Sequence, residues 1–164
     1  MFEVRPRRRG AVRAAMTVAS ALLLDTLVLD AQVVTALAPL QFGTVLGGTT
    51  TSISPSGTGA MAFDLTGPLG INGGWTITLP ATLTRVGGTE TMPVTFCSTC
   101  GVYRIANNNP AGGITFNPTN PVRGISLLSV IHVYVWIGGS VSPTSLQRTG
   151  SYVGTVVLTL APII

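Results

Sequence analysis

Residues 75–79 read Trp75-Thr76-Ile77-Thr78-Leu79, large apolar side chains alternating with threonines until Pro80 ends the run. A period of two is that of a β-strand with one buried face, because successive side chains point to opposite sides. The alternation returns along the chain. Met61, Phe63 and Leu65 share one face of residues 60–66, which stop at Gly67-Pro68, and Met92, Val94 and Phe96 share one face of 91–97. Over 152–160, Tyr152, Val156, Leu158 and Leu160 stand opposite Val153, Thr155, Val157 and Thr159. Shorter runs occupy 33–37, 40–45, 52–54 and 102–105, the last placed to pair with 91–97. Residues 125–137 read as one long strand. Ile125, Leu127, Ile131, Val133, Val135 and Ile137 lie on one side, and Leu128, Val130, His132, Tyr134 and Trp136 on the other. A strand apolar on both faces is central and covered, or it meets a partner.

Turn chemistry separates these runs. Gly47-Gly48, Gly73-Gly74 and Gly87-Gly88 read as hairpin turns, and Asn107-Asn108-Asn109-Pro110 and Asn117-Pro118-Thr119-Asn120-Pro121 as loops. No amphipathic helical stretch interrupts the series. The expected fold is therefore all-β, an antiparallel β-sandwich or barrel formed as one domain by residues 32–164.

The first 31 residues follow a different rule. A basic stretch holding Arg5, Arg7, Arg8, Arg9 and Arg13 precedes an apolar run from Ala14 to Leu24 and a second from Leu27 to Leu29. That order is the order of a secretory signal segment, with cleavage expected between Ala31 and Gln32. The alternative is an uncleaved, helical membrane anchor. Against it, Asp25 breaks the apolar run well short of the ~18 residues that a spanning helix requires. The chain is thus expected to be exported, meeting a membrane only through this segment before cleavage.

Removing the leader removes most of the charge. Beyond residue 31 the chain carries Arg85, Arg104, Arg123 and Arg148 against Asp64 and Glu90, with no lysine anywhere. Four scattered arginines make no nucleic-acid footprint, which needs a basic face. His132, Asp64 and Glu90 are the whole acid–base inventory of this part, and no nucleophile motif accompanies them. His132 is expected to be a partly buried structural residue. Cys97-Ser98-Thr99-Cys100 has the spacing of a redox motif but follows a strand, without the helix N-terminus that lowers a thiol pKa. One such pair with a single histidine is also a poor zinc site. In an oxidising compartment, a local disulfide between Cys97 and Cys100 is expected. No cofactor, metal or catalytic residue is expected, and Trp75 and Tyr152 are expected in the core.

Leu40-Gln41-Phe42-Gly43-Thr44, Met61-Ala62-Phe63-Asp64-Leu65-Thr66-Gly67, Trp75-Thr76-Ile77-Thr78-Leu79-Pro80 and the closing run from Thr149-Gly150-Ser151-Tyr152 to Thr159 resemble, in order and spacing, a family of exported bacterial domains known as domain of unknown function 4402. The closing Gly-x-Tyr-x-Gly-Thr-Val run is also similar to that of spore coat protein U and the archaic chaperone–usher pilins. The resemblance implies an immunoglobulin-like sandwich and a structural role in surface fibres, with copies of the chain or related subunits joined by strand addition. Residues 32–40 are the candidate donor strand, or else an edge strand of their own domain. The alternative role is an extracellular binding module that recognises a glycan or a protein partner.

Overall fold

A computed structural model describes residues 32–67, 70–127 and 131–161. The leader assigned to residues 1–31, with Ala31 of the expected cleavage site, lies outside the described residues. Among those residues the chain forms thirteen strands and no helix: β1 (Val33–Ala38), β2 (Thr51–Ile53), β3 (Met61–Gly67), β4 (Gly70–Thr78), β5 (Thr82–Arg85), β6 (Thr91–Thr95), β7 (Gly101–Ile105), β8 (Ile114–Phe116), β9 (Val122–Leu127), β10 (Ile131–Ile137), β11 (Gly139–Val141), β12 (Tyr152–Val153) and β13 (Val157–Leu160). Their pairings are antiparallel. Three sheets result, ordered β1-β3-β10-β7-β8, β12-β5-β6-β11-β2 and β13-β4-β9.

The alternation read from the sequence becomes the core. Register places Val133 opposite Leu65 and Val135 opposite Phe63, so β3 and β10 send their apolar side chains to the same face. That face meets Trp75 and Ile77 of β4 and Ile125 of β9 in one buried cluster, in which Val133, Val135 and Ile137 are fully enclosed. Thr76 and Thr78 point the other way, to solvent. Trp75 is 1% exposed and meets Tyr103 and Phe116 edge-on, with ring centroids 5.3 and 5.9 Å away. Edge-to-face contact matches the positive ring edge of one aromatic to the negative face of another. A second cluster, Met92, Val94 and Val141, joins β6 to β11, with Phe42, Val45 and Tyr152 packed on it.

Several expectations need correction. Residues 40–45 form no strand; they run irregularly over the second cluster, anchored by Phe42 and Val45. Strands β6 and β7 do not pair. β6 lies between β5 and β11 while β7 lies between β10 and β8, because the turn at 97–100 carries the chain from one sheet to another. The single long strand expected over 125–137 is two strands in different sheets: β9 on β4 and β10 between β3 and β7. The closing run likewise divides, β12 on β5 and β13 on β4. Gly73-Gly74 is no turn. It lies inside β4 where the register with β9 shifts, and a Cβ on Gly74 would collide with the Val122 carbonyl.

Candidate functional site

Among the described residues β1 is the edge of its sheet, bonded only to β3. Its alternate residues Val34 and Ala36 sit opposite Leu65 and Phe63, so their side chains turn toward the apolar core face. Yet every residue of β1 except Ala38 is exposed, and Val33, Val34 and Leu37 are 49%, 37% and 45% exposed. An apolar strand so placed leaves a row of backbone N–H and C=O groups available for pairing.

Next to it the interior is open. Ala36, Leu37 and Pro39 line a crevice of about 240 Å³ with Met61, Phe63 and Val156. Pro39, Met61 and Val156 also line a larger groove of about 800 Å³. The far wall of that groove comes from Leu83, Met92, Val94 and Val141, and residues 39–45 form its near wall. Backbone ties on this near wall are sparse: Gln41 N–H donates to Gly59 O at 2.8 Å, and beyond the wall Gly48 N–H donates to Pro143 O at 3.0 Å. Side chains, chiefly Phe42 and Val45, do the rest.

The groove's polar rim is residues 147–151, and an ion-pair network fastens it. Glu90 accepts from Arg85 Nε at 2.8 Å and pairs with Arg148 Nε at 3.3 Å. The hydrogen bond from Arg85, then the backbone bond at Glu90, hold this carboxyl down at about 2, and the same pairing raises Arg85. Gln147 Nε2 donates to Thr91 O at 3.1 Å and to the Tyr152 hydroxyl at 2.6 Å; that hydroxyl donates in turn to Arg148 O at 2.8 Å. Tyr152 is thus half-buried against the second cluster with its polar end bonded to the rim.

His132 and Asp64 are brought together, which their positions in sequence gave no reason to expect. Both project from the outer face of the first sheet, where His132 Nδ1 lies 2.9 Å from Asp64 Oδ2. His132 is not partly buried as expected: its side chain is 51% exposed. The Thr66 hydroxyl lies 3.3 Å from the same nitrogen, Nδ1. A nucleophile–histidine–acid relay needs hydroxyl and acid on opposite ring nitrogens, so this trio has the wrong connectivity for one. Neither His132 nor Asp64 lines the two grooves. Tyr134 stacks on His132 with ring centroids 5.8 Å apart and planes 9° from parallel, and Trp136 continues the row. Glu90 stands apart, in the rim network.

Cys97 and Cys100 are paired as a disulfide with their Cα atoms 5.0 Å apart, and among the described residues no free cysteine remains. Among the same residues no three His, Cys, Asp or Glu side chains converge as metal ligands would. The roles of Gln147 and Arg148 were not read from the sequence. Glu90 is the lone acid after Asp64, and an acid among so few charges was the available sign of an arginine partner. No family model matches this chain, and no curated protein matches it.

Proposed function

We propose that this chain is an exported, non-catalytic structural subunit of a surface fibre or of the cell envelope. Its signal segment, residues 1–31, is removed between Ala31 and Gln32, and residues 32–164 fold as one immunoglobulin-like β-sandwich. It joins copies of itself or related subunits by exchanging β1. The observation that carries this reading is the state of β1: apolar, at a sheet edge, exposed from Val33 to Leu37 and bordered by open apolar space. Strand addition uses those features, main-chain bonds giving affinity and alternate side chains giving register. A strand that buries little in its own chain is released at little cost to stability, and an identical strand from a neighbour restores the same bonds. The antiparallel pairing of every sheet and the resemblance of the Thr149–Thr159 run to closing strands of fibre subunits support the same reading.

The test is to purify the mature chain from a periplasm, image it, and compare it with a chain starting at residue 41. Full-length chains are expected to form oligomers or fibres; the shortened chain should stay unassembled and take up a synthetic peptide of residues 32–40. A stable monomer whose assembly and stability do not change on truncation overturns strand exchange.

The groove favours a second reading, an extracellular binding module. Its volume of about 800 Å³ falls within the ~300–1,000 Å³ of ligand pockets. Loss of a glycan-array or partner signal on substitution of Leu83 or Met92, with assembly unaffected, would select it.

A further inference from the structure

The two sulfurs of the Cys97–Cys100 disulfide are not equivalent. Cys97 follows β6 and is exposed, whereas Cys100 is 7% exposed. Cys100 is fixed on both sides: its N–H donates to Cys97 O at 3.1 Å, and its carbonyl accepts from Gly138 N–H at 2.8 Å. That second bond falls where β10 gives way to β11, a point at which a Cβ on Gly138 would collide with the Ile53 carbonyl. The backbone N–H of Cys97 points at Cys100 Sγ, 3.0 Å away. Among the described residues Cys97 Sγ has only the Thr99 hydroxyl, at 3.5 Å.

Thiol–disulfide exchange is attack of a thiolate on one sulfur with expulsion of the other as thiolate, and it depends on access and on the stability of the leaving group. Both favour one direction here. Attack on Cys97 comes from solvent, and the Cys100 thiolate it releases forms against an amide donor already in place. Attack on Cys100 has to reach a buried sulfur and releases a thiolate with a hydroxyl at the limit of contact.

We propose that Cys97 is a thiol-exchange site, open to a small thiol of the glutathione class or to the accessible thiolate of a protein dithiol. The incoming thiolate forms a disulfide to Cys97 Sγ, the Cys97–Cys100 bond breaks, and its electron pair leaves on Cys100. Cys100 is the resolving group: its thiolate attacks Cys97 Sγ, expels the incoming thiol and restores the original disulfide with no net oxidation. If a second thiol attacks the mixed disulfide first, at the incoming group's sulfur, that thiol pair leaves oxidised and both cysteines are left reduced.

Two measurements on the full mature chain test this. Unreduced protein is exposed briefly to reduced glutathione, quenched with acid and cleaved at arginine, which leaves both cysteines in the peptide of residues 86–104. Fragment ions should place glutathione on Cys97. Glutathione on Cys100, or no adduct under conditions in which a free Cys-Ser-Thr-Cys disulfide peptide exchanges, overturns the proposal. In parallel, Cys100→Ser and Cys97→Ser chains are treated with glutathione disulfide. The first, with Cys97 free, should be modified at least about tenfold faster, as an exposed thiol outpaces a buried one; equal rates or the reverse order overturn it. Should either variant fail to fold, adduct mapping on the unaltered chain still decides.

Discussion

At the scale of single residues, Trp75 and Glu90 show two different ways in which a side chain holds this fold. Trp75 is held by enclosure, edge-on to two aromatics beneath β3 and β10. Trp75→Ala removes that ring from a closed space and is expected to cost about 3–5 kcal/mol, the range for deleting a large buried aromatic; the midpoint of urea unfolding measures it. Glu90 acts by charge at the surface. Its carboxyl, held near 2 in the folded chain, titrates near 4 when unfolded. The stabilisation is therefore complete above the unfolded value and drains away as pH falls toward 2. Glu90→Gln is expected to lower the urea midpoint at neutral pH, the gap to the unaltered chain closing across that acidic window. A constant gap at all pH values would assign Glu90 a role other than charge. The His132–Asp64 pair is open to solvent on the histidine side, with the Asp64 side chain only 15% exposed, and a pair screened in this way is expected to contribute about 1 kcal/mol. A double-mutant cycle with His132→Ala and Asp64→Ala should return a coupling no larger than that.

At the scale of elements, local pattern and long-range pairing part company. The faces of β3, β4 and β6 were legible because each alternates cleanly: Phe63 and Leu65, Trp75 and Ile77, Met92 and Val94 are all buried. The disulfide was legible from spacing. What periodicity does not carry is the sheet a strand joins. Residues 125–127 and 131–137 continue one apolar pattern yet pair with different partners. Leu40-Gln41-Phe42 has strand-like composition, but Phe42 is fixed by packing on Met92, Val94 and Val141 rather than by a ladder. Strand β5 has Leu83 as its one apolar residue, and β8, Ile114-Thr115-Phe116, is too short at three residues for its alternation to stand out. Of the candidate site, the apolar character of β1 could be read in advance; the groove beside it and the rim of residues 147–151 could not, since they join parts of the chain far apart in sequence. Hydrogen exchange should rank these elements by burial. Amides of β10, central and enclosed, are expected to exchange slowest and those of β1 fastest among the strands of the first sheet. Protection of β1 equal to that of β10 would show a strand too firmly held to be exchanged.

At the scale of the whole molecule, the proposed self-association rests on an edge strand that its own chain barely covers. Strand register supplies a direct way to see whose β1 lies on whose β3, because Val33 sits opposite Thr66 across that pair. Two chains are prepared, one carrying Val33→Cys and the other Thr66→Cys, mixed before assembly, oxidised and separated by mass without reduction. Exchange of β1 between subunits predicts a covalent dimer containing one chain of each kind, absent when either chain is oxidised alone. A cross-link that forms only when both substitutions are placed in the same chain, and never between chains, would contradict it.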